Sequence, residues 1–205
     1  MITVEVVLES DDAVGFTAWP IAEPSNDRFL SLSGQMSPAE VGSAMAVIFS
    51  YNGLSVEPVT DLTGAQLEQH LAEAGALIAP GGLRFRDSIT NAQVVPGCCF
   101  GLENWRDWLE VMRGQELWLG HSPAHRLEHS GQFIRLTQDG WDDCPSLTVE
   151  IDVNELPGLL ASAQQQLRGF LKLAQQWSAD VVPQMTVSLV AALDEHLKIN
   201  EALSI

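Results

Sequence analysis

The clearest hydrophobic repeat in the chain lies in its last third, where Leu160, Ala163, Leu167, Phe170, Leu171, Ala174 and Trp177 recur at spacings of three and four. That period lines one face of an α-helix with apolar side chains and predicts a buried stripe. Gln164, Gln165, Gln166, Gln175 and Gln176 fill mostly the opposite face, and Asn154 stands where a cap is needed. Pro183 opens a second helical segment with Met185, Leu189, Val190, Leu193 and Leu197 as its apolar positions. Two such segments joined by a short connection pack as a hairpin over a sheet.

Elsewhere the pattern switches between periods of two and of nearly four. Ile2 to Leu8 reads as a strand, Val14 to Trp19 as a second short strand inside the polar connection Ser10 to Asn26, and Leu54 to Val59 as another. Ser37-Pro38-Ala39-Glu40 supplies an N-cap hydroxyl, a proline at the first helical position and a glutamate at the third, so a helix should run from there toward Tyr51 and end at Asn52-Gly53. Thr63-Gly64-Ala65-Gln66 is a second capping box, for a helix to Ala74 stopped by Gly75. Ala76 to Ala79 and Leu83 to Phe85 flank Pro80-Gly81-Gly82, which reads as a turn; with neither a lysine nor a third glycine following, it lacks the makings of a phosphate loop.

Leu102 to Arg113 predicts a helix stopped by Gly114, with Trp105, Trp108, Leu109 and Met112 on its core side and Trp118 extending that aromatic cluster onto the next strand. Glu116 to Leu119, Arg126 to His129, Gln132 to Thr137 and Leu147 to Val153 read as strands. Ser130-Gly131 and Asp139-Gly140 turn between them, as in an antiparallel meander. The expected fold is therefore α+β: a mostly antiparallel sheet, three packed helices and a C-terminal two-helix hairpin. It should form a single domain over residues 1–205, with any subdivision falling near Asp87 to Val95.

Charge narrows the function classes. The 205 residues carry 27 acidic against 10 basic side chains, a net charge of −17, which repels phosphate backbones and anionic lipid and excludes nucleic acid and membranes as expected partners. No apolar run approaches the roughly 20 residues of a membrane span, and Met1 to Glu9 has neither the basic nor the apolar region of a secretory leader. A cytoplasmic protein is expected. Dispersed acids on a folded surface suit steering toward a basic protein partner. The leading expectation is accordingly a small acidic binding protein, such as an inhibitor or immunity-type protein for a basic toxin or enzyme, with Asp139, Asp142 and Asp143 as its candidate partner-binding residues. Asp142, Asp143, Glu150 and Asp152 lack the spacing of a calcium loop.

The alternative is chemical. Cys98 and Cys99 precede the Leu102 helix, where the positive end of a helix lowers a thiol pKa and favours nucleophilic catalysis, with His121, His125 or His129 supplying the base. The competing reading makes Cys98-Cys99-Phe100 an apolar plug beneath the helix, and Cys144 an incidental loop thiol. His121, His125 and His129 recur every fourth residue and are candidate ligands for zinc or nickel. Pro123 and the flanking glycines argue for a strand there instead, with His125, Leu127 and His129 on one face and His121 reaching in from the loop. No cofactor follows from the first reading; zinc follows from the second. Catalytic candidates are thus Cys98, Cys99 and His121, in a metal-dependent or cysteine-based enzyme whose site lies between the Cys98-Cys99 loop and the His121–His129 segment.

The residues Cys98-Cys99-Phe100-Gly101-Leu102-Glu103, Trp105 and Trp118-Leu119-Gly120-His121 resemble a stretch found in bacterial open reading frames, chiefly actinobacterial, and Glu128-His129 and the strand-then-helix order from Ile151 to Phe170 are similar too. The likeness covers about a fifth of the chain and implies no activity, cofactor or substrate.

Overall fold

The computed structural model describes residues 1–13, 15–23, 27–54, 63–140 and 145–204. It is an α+β protein, whose described residues form two antiparallel sheets and five α-helices. The first sheet has the order β2-β1-β3-β4, from Ile2–Glu9 (β1), Phe29–Leu32 (β2), Gly81–Asp87 (β3) and Gln93–Val94 (β4). β1 is central, pairing Ile2 to Leu8 with β3 and Val6 to Glu9 with β2. Its run of β-branched residues suits that place, because Val6 and Leu8 are fully buried on one face and Val7 on the other.

Two expectations change here. The described residues of the 14–19 segment form no strand; Trp19 is instead a buried plug whose Nε1 donates to the Gly42 carbonyl at 2.7 Å and whose ring meets Phe49 and Trp177 edge-on. The strand that follows β1 in the chain is β2, and it pairs with β1. Pro80-Gly81-Gly82 is no turn either: both glycines begin β3, and a Cβ on Gly81 would collide with the Val7 carbonyl of the neighbouring strand. The predicted strand at Leu54 to Val59 lies, beyond Leu54, outside the described residues.

Pro38–Tyr51 (α1) and Gly64–Ala74 (α2) each begin with the capping box that the sequence announces, Ser37 with Glu40 and Thr63 with Gln66, and Gly75 closes α2 in the left-handed conformation. Every residue from Val41 to Phe49 is buried, so α1 is an internal helix, with the one polar side chain of that run, Ser43, bonded to the Ala22 N–H and the Ala39 carbonyl. Leu156–Val181 (α4) buries the whole predicted stripe from Leu160 to Trp177 and lies against β1. Gln166 on this helix bonds the backbone of β1 at both ends of its amide: Oε1 accepts from Val6 N–H and Nε2 donates to the Val4 carbonyl, each at 3.0 Å. Thr186–His196 (α5) packs on α4, completing the C-terminal pair.

The Leu102 to Arg113 segment is tighter than an α-helix. Leu102–Asp107 is 3-10, followed by a single α-turn, Trp108–Val111 (α3), and Gly114 ends it at φ 81°. Long-range anchors set its path. Trp105 Nε1 donates to the Leu197 carbonyl at 2.8 Å, and the Arg106 guanidinium donates to the carbonyls of Lys198, Glu201 and Ala202. Trp105 and Trp108 are core, as their spacing predicts. Trp118 is not: it is 54% exposed, and residues 116–119 form no strand.

The second sheet is the expected meander of His125–Ser130 (β5), Phe133–Gln138 (β6) and Leu147–Asp152 (β7). Ile134, Leu136, Val149 and Ile151 face inward and join one core with the first sheet, while Arg126, Glu128, Arg135, Thr148 and Glu150 stay outside. No helix among the described residues is long and apolar enough to cross a membrane.

Candidate functional site

Two loops cross beside the second sheet. One, residues 95–101, leaves β4; the other, residues 115–124, enters β5. Their backbones bond directly: Gly97 N–H donates to the Leu119 carbonyl at 2.8 Å, Cys98 N–H to the Ser122 carbonyl at 2.9 Å, and His121 N–H to the Cys98 carbonyl at 3.0 Å. Glycine permits this approach. A Cβ on Gly97 would lie 2.8 Å from the Pro123 carbonyl, and one on Gly120, which sits at φ 100°, would lie 2.5 Å from the carbonyls of both Gly97 and Cys98.

The crossing brings Cys98, Cys99 and His121 together, with one ligand atom from each within 4.8 Å of the others. Adjacent residues in extended chain point their side chains to opposite sides. Cys99 escapes that rule by adopting φ 67°, an uncommon conformation for a residue with a Cβ, and the two Sγ atoms lie 3.9 Å apart. Tetrahedral zinc, with Zn–S near 2.3 Å, needs sulfurs about 3.8 Å from each other. The dithiol therefore already has the separation that chelation of one ion requires. Cys98 is half-buried, Cys99 and His121 are exposed, and the His121 ring meets the edge of Trp118 at 5.1 Å between centroids.

The electrostatics differ from the activated nucleophile expected of a helix N-terminus. The hydrogen bond with Cys98 and the charge of that neighbour, then slight desolvation and the nearby Glu9 carboxylate, push the exposed Cys99 thiol above its ordinary value. No long helix counters them, because the segment that follows is 3-10 and one α-turn. A thiophilic cation at this point would replace the thiol protons and use both sulfurs.

The other candidates stand apart. His125 is half-buried at the start of β5, with Nε2 2.7 Å from the Val95 carbonyl; since that oxygen only accepts, Nε2 carries the proton. Its Nδ1 is buried without a partner among the described residues. His129 shares the His125 face, as a strand requires, but is exposed near the far end of β5. Asp139 is exposed just after β6, with its N–H on the Ala124 carbonyl. Asp142, Asp143 and Cys144 lie outside the described residues. Sequence reasoning missed Gly97 and Gly120, the residues that let the loops cross. A glycine beside each ligand cluster was the available signal.

Comparison with models of known protein families, with curated proteins and with solved structures yields no match.

Proposed function

We propose that the protein is a metal-dependent module that binds one thiophilic cation, of the zinc class, through Cys98, Cys99 and His121. The observation that carries this reading is the convergence of two thiols and an imidazole on a single point at the loop crossing. Two sulfurs and one nitrogen are a soft donor set, suited to zinc and poor for calcium or magnesium. Three protein ligands leave a tetrahedral ion one further position, so the ion could hold a water or an incoming ligand on the solvent side, beside Trp118. The net charge of −17 favours the same reading by raising the local concentration of cations.

The test is native mass spectrometry with elemental analysis on untagged protein purified without chelator, followed by zinc titration. The expected result is one bound zinc, lost in Cys98→Ser, Cys99→Ser and His121→Ala and retained in His129→Ala. A wild-type protein that takes up no zinc at micromolar concentrations overturns the reading.

The second reading is the acidic binding module for a basic protein. It is favoured by the acid surplus and by Asp139, which is exposed and has no part in the ion pairs found among the described residues. Neutralising Asp139, Asp142 and Asp143 should then slow association and flatten its salt dependence. An association rate indifferent to both overturns it.

A further inference from the structure

We propose that His125 is a positioning residue for the Cys98-Cys99-His121 site, holding the roots of the two crossing loops at a fixed separation; this rests on the metal-binding reading above. Val95 stands three residues before Cys98, and His125 four after His121. The His125 Nε2–H bond to the Val95 carbonyl, 2.7 Å long, therefore ties one loop to the other at the point where both leave the sheets. The same residue is gripped from its other side. Val95 N–H donates to Gln138 Oε1 at 2.9 Å, and Gln138, which is buried, stands directly opposite His125 in the β5·β6 ladder. Both polar backbone groups of Val95 are thus taken by one cross-strand pair, and three residues later the chain presents its thiols.

Nδ1, which has no partner among the described residues, stands against the benefit of that tie. An aliphatic residue would fill a half-buried strand position without leaving a buried Nδ1 unpaired. What an aliphatic residue cannot do is extend an N–H past the strand to the Val95 carbonyl. The neutral ring keeps its single proton on Nε2 because its partner there, the Val95 carbonyl, can only accept. Across the ladder β6 offers the Gln138 amide, and the charged group acting on the ring is Asp139, after β6, whose pull toward the protonated form burial opposes. Residues that orient metal ligands from outside the coordination sphere are commonly worth ~10–100-fold in affinity.

The experiment compares zinc affinity, by competition with a chromophoric chelator, in the full chain and in His125→Leu, His125→Gln and Leu127→Ala. Leucine fills the space but donates nothing. Glutamine extends an amide N–H to about the place of Nε2. Leu127→Ala loosens the same face of the same strand without touching the tie. We expect the leucine variant to bind zinc about 10–100-fold more weakly, the glutamine variant to recover most of that loss, and Leu127→Ala to lower the melting temperature with affinity kept. Equal loss in the leucine and glutamine variants, or an equal loss in Leu127→Ala, overturns the assignment. Amide exchange gives a readout that does not need metal: Gly97 and Cys98 N–H should lose protection in the leucine variant and keep it in the glutamine variant. Unchanged protection overturns the tie, whereas a wild-type chain that binds no zinc overturns only the metal reading.

Discussion

Both sheets are antiparallel, yet they use their two faces differently. The first is closed on one side and partly closed on the other: Val6, Leu8 and Phe85 face the helices, and on the opposite face Val7 is fully buried and Arg84 is only 8% exposed, while Thr3, Ser31 and Arg86 reach water. That arginine is held by Glu5, Asp27 and Ser31. Its pKa is raised even though burial, the largest influence, acts to lower it; the hydrogen bonds and charges of Asp27 and Glu5 outweigh burial. The second sheet buries one face and gives the other to water, where Arg135 pairs with Glu150 and Thr137 with Thr148. The Cys98-Cys99-His121 cluster lies between the two, where the loop leaving β4 of the first sheet crosses the loop entering β5 of the second.

If this contrast holds, substitutions should sort by sheet. Phe85→Ala, in the first sheet against Trp108, should cost about 3–5 kcal/mol in urea unfolding. Arg84→Ala strands Glu5 and Asp27, which are both partly solvated, so about 2 kcal/mol is expected. Gly120→Ala should cost a comparable ~1–3 kcal/mol, and unlike the first two it should also abolish zinc uptake, since the added Cβ meets the carbonyls of Gly97 and Cys98. A Gly120→Ala protein that binds zinc as the wild type does would break the link between crossing and site. Arg135→Ala, on the open face, should leave both the unfolding midpoint and zinc binding nearly unchanged.

Acid titration sharpens the comparison further. Burial lowers the pKa of His125, against the opposing pulls of the Val95 carbonyl and Asp139. The unfolded chain then takes up its proton near the ordinary value of about 6.5 while the native state stays neutral. The contribution of His125 is whole above that pH and is lost as pH falls from there toward the native value. Glu103, whose carboxyl burial raises, works in the opposite sense: its contribution is whole below the ordinary carboxyl value and is lost as pH rises through the native one. In His125→Leu the fall in stability just below pH 6.5 should flatten, and in Glu103→Gln the loss at higher pH should. Stability curves that both variants leave unmoved would sink this assignment.

Much of the scaffold could be read from the chain because its signals are local. Ser37 with Glu40, Thr63 with Gln66, the stripe from Leu160 to Trp177 and the alternation of β6 and β7 each declare themselves within a few residues. β2 did not, since four residues paired to β1 carry too little pattern. Gly81 and Gly82 misled for a physical reason: glycine marks turns, but it also marks places where two backbones nearly touch. The site was half legible. Cys98, Cys99 and His121 stood out by residue type, but their meeting depends on a crossing between distant segments and on the backbone turn at Cys99. Neither leaves a periodic trace. For the same reason His125, spaced as though to be a ligand, turned out to be bonded to backbone.

The amide of Gln166 has one more consequence. β2 covers β1 only from Val6 onward, so at Val4 and Val6 the central strand would otherwise show an open donor and acceptor to any extended peptide that drifted past. Gln166 fills that gap as a strand of a single residue, and it is carried on a helix that cannot be peeled away one bond at a time. Foreign chains are thereby denied a template where the native sheet runs short, and the chain gains resistance to aggregation from one side chain on the polar flank of α4.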